Sequence, residues 1–132
     1  MKPKGDLVHR VIIPVGLKPS PARYEITAAE LLANHLKADV EFILRSNYQT
    51  PDFKIAGIEW ELKSPTGTGK NNIEHQLQAA LKQSRCIVFD ARRSKIHITK
   101  IKSELNRQFQ LTKNIRRLIL IDKNKSVIEL IR

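Results

Sequence analysis

The alternation of apolar and charged residues over residues 51–63 constrains the fold of this chain more than any other feature. The apolar residues are Ile58, Trp60 and Leu62. The residues that alternate with them are charged; they are Glu59, Glu61 and Lys63. In a β-strand, a period of two places the apolar side chains on one face and the charged side chains on the other. Ala56-Gly57 separates this run from a shorter one at 53–55, so the sequence predicts a β-hairpin with a two-residue turn.

The turn also determines which residues of the hairpin lie opposite each other. The predicted pairs are Ile55 with Ile58, Lys54 with Glu59, Phe53 with Trp60, and Asp52 with Glu61. Cross-strand partners have Cβ atoms about 4.5–5.5 Å apart, so Asp52 and Glu61 repel each other unless a cation lies between them. Their oxygen atoms suit Mg²⁺ or Mn²⁺, and Lys63 follows on the face of Glu61, where it can assist a metal-bound water and offset phosphate charge. The alternative is a solvated strand face of mixed charge.

Glu25 is a third acidic residue that we expect near this pair. It falls on the apolar stripe of a predicted helix over residues 22–37, the side that must face the sheet. A carboxylate directed inward is costly unless it is paired or linked to a metal. Glu25 therefore completes the predicted acidic cluster, directly or through water. The alternative is a glutamate that is favoured by the dipole at the start of the helix.

Periodicity places the other elements around the hairpin. Two further helices are predicted over residues 71–84 and 98–109. The other predicted strands cover residues 39–44, 85–90, 118–121 and 127–131, and residues 8–15 form an arm or edge strand. The chain has no repeat, low-complexity tract or long linker, so we expect a single domain over residues 1–132. This order predicts an α/β or α+β fold, with helices on both faces of a sheet.

The charge of the chain is unevenly distributed. Lys and Arg number 24 against 13 Asp and Glu, a net charge of +11; residues 1–66 carry nine basic and eight acidic residues, and residues 67–132 the remaining fifteen and five. A basic surface beside an acidic cluster suits an enzyme that cleaves phosphodiesters, because the surface attracts the polyanion and the cluster binds a metal. We expect Arg92, Arg93 and Lys95 to contact substrate. The alternatives are a solvated helix face and a basic module that binds nucleic acid without cleaving it.

Two sets of motifs carry a resemblance to known families. Pro51-Asp52, followed by Glu61-Leu62-Lys63 and preceded by a helix with Glu25, resembles the PD-(D/E)xK nuclease superfamily, whose core is a helix, a three-stranded meander, a helix and a strand. Over roughly residues 22–95 the chain is similar to the C-terminal tRNA nuclease domain of contact-dependent growth-inhibition toxins and to related small stand-alone bacterial proteins. The stretches that carry this similarity are Trp60-Glu61-Leu62-Lys63-Ser64-Pro65, Gly69-Lys70-Asn71-Asn72-Ile73 and the segment from Gln83 to Arg93.

The resemblance implies roles for individual residues. Asp52 and Glu61 are the implied metal-binding carboxylates, Glu25 is the acidic residue of the helix, Lys63 is the catalytic lysine, and Gln76 lies near the site on the next helix. It also implies a catalytic core at 22–95, between an N-terminal arm at 1–21 and a basic helix and hairpin at 96–132.

The implied function is that of a metal-dependent endonuclease. RNA, including tRNA, is favoured over DNA by the resemblance alone. A DNA endonuclease of the restriction or junction-resolving type and a non-catalytic basic module remain as alternatives. If the chain is a toxin, we expect an acidic immunity protein that binds its basic surface, and action in the cytoplasm of the target cell.

A Gly-rich loop at 65–70 follows the predicted catalytic lysine. The serine before this loop and the polar residues within it can contact substrate phosphates beside the site; they are Ser64, Thr66, Thr68 and Lys70. The alternative is a flexible loop. A Walker A motif is excluded because Ser64 and Asn71 occupy the positions that need glycine and Ser or Thr, so we expect no nucleotide cofactor.

Several other sites are excluded by residue counts and spacing. The single cysteine, Cys86, and four scattered histidines give no zinc-ligand pattern. RNA cleavage that depends on His75 or His97 remains an open alternative. No apolar run approaches the ~20 residues of a membrane-spanning helix, and the N-terminus is a poor secretory signal.

Overall fold

In the computed structural model, the described residues, 9–45 and 50–132, form seven strands and three helices. The strands are β1 (Val11–Ile12), β2 (Val40–Phe42), β3 (Phe53–Ile55), β4 (Ile58–Lys63), β5 (Cys86–Asp90), β6 (Arg117–Ile121) and β7 (Val127–Glu129). The helices are α1 (Arg23–Leu36), α2 (Asn72–Ala80) and α3 (Ile98–Leu111). The predicted N-terminal arm lies partly outside the described residues, which begin at His9.

The strands form one sheet in their chain order, from β1 to β7. Strands β2, β3 and β4 form the predicted antiparallel meander. Strands β4, β5 and β6 are parallel, so α2 and α3 act as the crossover connections that parallel neighbours require. Strand β1 is parallel to β2, and β7 is antiparallel to β6. The predicted order of helix, meander, helix, strand, basic helix and hairpin is thus confirmed.

Each face of the sheet packs against its own helices. The side chains of α1 and those of alternate strand positions form one apolar cluster, which includes Leu32, Phe53 and Trp60. Helices α2 and α3 form a second cluster on the opposite face, which includes Leu77 and Leu105. The fully buried strand β5 contributes to both clusters, as expected for a central strand covered on both sides.

The hairpin of β3 and β4 has the predicted register as far as its ladder extends. Ile55 pairs with Ile58, Lys54 with Glu59 and Phe53 with Trp60. Ala56 and Gly57 have φ values of 49° and 82°, the positive values that a type I′ turn requires at both central positions.

The predicted pairing of Asp52 with Glu61 is not part of this ladder. The N–H of Asp52 donates to the carbonyl of Trp60 at 3.0 Å, so Asp52 and Phe53 both lie opposite Trp60, as in a β-bulge. A bulge turns the strand at this point and directs the Asp52 side chain away from a regular cross-strand position.

Other differences concern the ends of elements. Helix α2 ends at Ala80 rather than at the predicted Ser84, although turns continue through Ser84, whose N–H bonds to the carbonyl of Ala80. The edge strand predicted over 8–15 has only two residues in the described part of the chain. Among the described residues, no helix combines the length and the hydrophobicity needed to cross a membrane.

Candidate catalytic site

Strand β4 places Glu61 and Lys63 on the same face of the sheet. Its Trp60 and Leu62 belong to the apolar cluster under α1, so the residues that alternate with them point to the face covered by α2 and α3. Glu61 is only 6% exposed, and the ammonium of Lys63 lies 3.5 Å from its Oε2 atom. The strand therefore brings a buried acid and a cation together on one face of the sheet.

Asp52 completes a pair of carboxylates with Glu61. One of its oxygens, Oδ2, accepts a hydrogen bond from the backbone N–H of Leu62 at 2.8 Å. This contact ties the residue before β3 to the middle of β4 and holds the Asp52 side chain near the site. Asp52 and Glu61 interact closely enough for each to change the pKa of the other.

The surroundings of these two acids disfavour their ionised forms. Burial, followed by the negative charge of Asp52, raises the pKa of Glu61 to about 8, against the opposing effect of Lys63. Burial also raises the pKa of Asp52, and the charge of Glu25 acts in the same direction, while the N–H of Leu62 opposes both. Ionising both acids is therefore costly in the metal-free protein, and a bound cation would lower that cost.

The donor atoms of the site fit a small hard cation. The Oε1 atom of Glu61 is buried and has no hydrogen-bond partner in the part of the chain that the structure describes. In residues 9–45 and 50–132, no group of three or more His, Cys, Asp or Glu side chains is arranged to hold a metal ion. Two carboxylates still suit Mg²⁺, which usually binds through one or two carboxylates and takes its other ligands from water and phosphate.

The two carboxylate oxygens of Glu25 have different partners, one at the start of helix α1 and one at the acidic site. Its Oε1 atom accepts the N–H of Ala22 at 2.8 Å, which is the helix-start role considered as an alternative. Its Oε2 atom lies 4.0 Å from the guanidinium of Arg45. Glu25 thus reaches the edge of the site, and a role as a metal ligand, directly or through water, stays a prediction.

Arg45, which no sequence pattern singled out, links Glu25 to Asp52. Its guanidinium lies 4.0 Å from Oε2 of Glu25 and 4.0 Å from Oδ1 of Asp52. It also donates to the carbonyl of Pro19 at 3.1 Å. Its position shortly after a strand of the meander, close in sequence to the acidic hairpin, is the only signal that could have indicated this role.

The other predicted residues of the site lie on α2 and on the loop that precedes it. Gln76 is half-buried on α2, which packs against β4. Ser64 directly follows β4, and its Oγ atom is buried without a partner among the described residues. Thr66, Thr68 and Lys70 are exposed. The loop therefore offers polar groups next to Lys63, and its contact with substrate stays a prediction.

The three basic residues after β5 have different surroundings. Arg92 is turned inward: it forms two hydrogen bonds to the buried carboxylate of Asp90, at 2.9 and 2.6 Å, and donates to the carbonyl of Tyr24 at 2.8 Å. Arg93 is exposed and lies over the ring of Tyr24, 3.8 Å from its centre. Lys95 is also exposed. Arg93 and Lys95 thus remain available to a polyanion, whereas Arg92 is engaged in the fold.

Comparisons with known proteins support a toxin-domain fold. The family model described as "Contact-dependent growth inhibition CdiA C-terminal domain" matches residues 49–127, more than half of the chain. A solved chain of the "CdiA-CT/CdiI toxin and immunity complex from Burkholderia pseudomallei" has a TM-score of 0.53 and 16% identity, and the match covers 93% of this chain and 99% of that chain. At this identity the likeness concerns the fold. No curated protein sequence matches the chain.

Proposed function

The chain belongs to the family of contact-dependent growth inhibition CdiA C-terminal domains, and on that premise we propose that it is a toxin domain that cleaves nucleic acid with the help of a divalent metal ion. The family match supports the toxin function. We add the nuclease activity and its metal from the geometry of the site, and the substrate from the charge of the chain and its similarity to tRNA nuclease domains.

One observation carries the proposal. Glu61 is buried, carries a pKa raised to about 8, interacts with a second carboxylate and leaves one oxygen without a partner in the described residues. Burial disfavours the ionised form of this acid, and acids perturbed in this way are concentrated at functional sites. A bound cation would stabilise the ionised form, and Lys63 beside it supplies the remaining group that phosphodiester hydrolysis needs.

The roles of the residues follow from their chemistry. A bound Mg²⁺ or Mn²⁺ supplies a Lewis acid for the scissile phosphate and lowers the pKa of a bound water. Asp52 and Glu61 are the residues that would hold that ion, and Oε1 of Glu61 has no hydrogen-bond partner in the described residues. Lys63 lies next to the acids, where it would orient the attacking water and offset the charge that develops on phosphate. We expect Gln76 and Ser64 to offer further polar contacts to the substrate.

The proposed substrate is RNA, with tRNA as the first candidate. The net charge of residues 67–132 attracts a polyanion of any kind, and it is the similarity to tRNA nuclease domains that favours RNA over DNA. Aromatic residues make up only 5% of the chain, so recognition depends mainly on backbone and shape. The domain acts in the cytoplasm of the target cell, and an acidic immunity protein neutralises it in the producing cell.

A cleavage assay tests the proposal directly. The full chain is incubated with tRNA, a structured RNA of other origin and duplex DNA, each with Mg²⁺, with Mn²⁺ and with EDTA. We expect cleavage of RNA that needs a divalent ion and is absent with EDTA. Cleavage of DNA alone would replace RNA by the DNA endonuclease alternative, and binding without cleavage of any substrate would establish the binding module instead.

Two matched variants connect the activity to the site. Glu61→Gln removes the buried charge, while Glu59→Gln changes an exposed glutamate two positions earlier on the same strand. We expect the first variant to lose cleavage and the second to keep it. Equal activity in both variants, or cleavage that persists in EDTA, would show that the chemistry does not use this site.

A further inference from the structure

The guanidinium of Arg45 is shared between two acids that it does not bind tightly. It lies 4.0 Å from Glu25 Oε2 and 4.0 Å from Asp52 Oδ1, both beyond hydrogen-bond distance. Its one hydrogen bond in the described residues goes to the carbonyl of Pro19 at 3.1 Å. Arg45 is thus tethered to the loop before α1, while its charge is held between two carboxylates of the candidate site.

The oxygen of Asp52 that faces Arg45 is also the one with more capacity for a metal ion. Asp52 Oδ2 already accepts the N–H of Leu62 at 2.8 Å, which uses one of its lone pairs. Arg45 approaches the other oxygen, Oδ1. A divalent cation bound to this carboxylate would repel the guanidinium beside it, because both carry positive charge.

We infer that Arg45 is a built-in counter-ion of the acidic site, which holds Asp52 and Glu25 in the metal-free protein and is displaced from Asp52 when a divalent cation binds. Arg45 is accordingly a positioning residue rather than a catalytic one. It keeps like-charged side chains together before the metal arrives, and it lowers the affinity for that metal by competing with it. The inference rests on the proposed function, since the displacing ion is the Mg²⁺ or Mn²⁺ of that proposal.

Titration calorimetry of the full chain with Mg²⁺ and with Mn²⁺, in the absence of nucleic acid, tests the competition. Arg45→Met removes the charge and keeps much of the bulk, so it should bind metal about two- to fivefold more tightly than the wild type, as expected for removal of a partly exposed ion pair. Arg45→Lys should stay near the wild-type affinity.

Arg10→Met is the matched control for this titration, because Arg10 pairs with Asp39 at the surface, outside the acidic cluster. It should leave the metal affinity unchanged. Unchanged or weaker metal binding by Arg45→Met would overturn the inference while leaving a metal site at Asp52 and Glu61 intact.

Thermal unfolding in EDTA tests the counter-ion contact without any metal. Arg45→Met should lower the melting temperature, and the decrease should be smaller in an Asp52→Asn background, where one of the two charges that Arg45 offsets is already absent. Equal decreases in both backgrounds would overturn the counter-ion role, whether or not the protein binds metal. A third outcome is a smaller decrease in the Asp52→Asn background combined with no metal binding by the wild type. That outcome would support the contact between Arg45 and Asp52, but it would overturn both the displacement of Arg45 by metal and the proposed function.

Discussion

Two buried carboxylates lie on neighbouring strands of the sheet, and they differ in how their charge is satisfied. Asp90, at the end of β5, is fully buried, and both of its oxygens accept hydrogen bonds from Arg92. Glu61, on β4, is 6% exposed, but its nearest cation is 3.5 Å from one oxygen, the other oxygen has no partner in the described residues, and a second acid lies beside it.

The difference distinguishes a charged pair that stabilises the fold from a pair that we expect to bind a ligand. The pair of Asp90 and Arg92 is balanced, and it reaches the carbonyl of Tyr24 at the start of α1, so it links the central sheet to the helix that carries Glu25. The pair of Asp52 and Glu61 is unbalanced, because one oxygen of Glu61 has no partner in the described residues and the cations of the pair, Lys63 and Arg45, lie 3.5 and 4.0 Å from its carboxylates. A buried charge that is fully hydrogen-bonded supports the fold, whereas a buried charge left incomplete indicates a ligand.

The largest expected effect concerns the balanced pair. Arg92→Met should lower the free energy of unfolding by about 3–5 kcal/mol, because it leaves the buried carboxylate of Asp90 without a counter-charge and with only the backbone N–H of position 92 as a donor. Urea denaturation measures this change. The double variant Arg92→Met with Asp90→Asn should recover part of it, since no charge then remains unpaired. A decrease below about 1 kcal/mol, the range of exposed ion pairs, would remove the distinction drawn between the two sites.

The next effect concerns Lys63, the cation of the unbalanced pair. Lys63→Ala should reduce kcat for RNA cleavage by about 10²–10³-fold, since it removes a group that acts on charge developing in the transition state. Single-turnover cleavage at saturating RNA measures this reduction, and Lys54→Ala, an exposed lysine on β3, is the matched control. A variant that loses only affinity for RNA would place Lys63 in substrate binding rather than in catalysis.

The pH dependence of stability should also reveal the unbalanced pair. Glu61 has an ordinary pKa of 4.5 and a pKa of about 8 in the folded protein, so between these values the folded state keeps a proton that the unfolded state releases. The free energy of unfolding of the metal-free protein should therefore fall as the pH rises through that window, and Asp52, with its raised pKa, acts in the same direction.

Glu61→Gln should flatten this dependence, because glutamine has no proton to release. Urea denaturation in EDTA at a series of pH values provides the measurement. An equally steep fall of stability in Glu61→Gln and in the wild type would assign the dependence to other groups.

The smallest effect concerns the exposed basic residues that follow the inward-facing Arg92. The double variant Arg93→Gln with Lys95→Gln should weaken RNA binding a few-fold and reduce the logarithmic salt slope by about 0.7–0.9 for each phosphate that is no longer neutralised. Cleavage at saturating RNA should change little, because these residues hold ground state and transition state alike. Lys37→Gln, an exposed change in the near-neutral half of the chain, is the control for the salt titration. An unchanged slope in the double variant would place the RNA on another basic surface.

Local patterns in the sequence determined most of the architecture. The period of two in residues 58–62 and the Ala56-Gly57 turn determined the register of the hairpin, because side-chain alternation and turn length are properties of adjacent residues. The helical spacing of apolar residues likewise predicted α1 and α3 to within a few residues of their ends. The placement of Glu61 and Lys63 on one strand face followed from the same alternation.

The tertiary structure decided which charges in the site have partners. Sequence patterns do not distinguish Arg92 from Arg93. In the fold, Arg92 is bonded to Asp90 and to the carbonyl of Tyr24, whereas Arg93 is exposed and lies over the Tyr24 ring. Arg45 reaches Glu25 and Asp52 from a third part of the chain, and the bulge at Asp52 depends on how β3 meets β4. The sequence by itself thus determined which residue types face the site, since that depends on local periodicity. Only the packed fold decided which of them are neutralised, because the energy of a buried charge depends on partners that are distant in sequence.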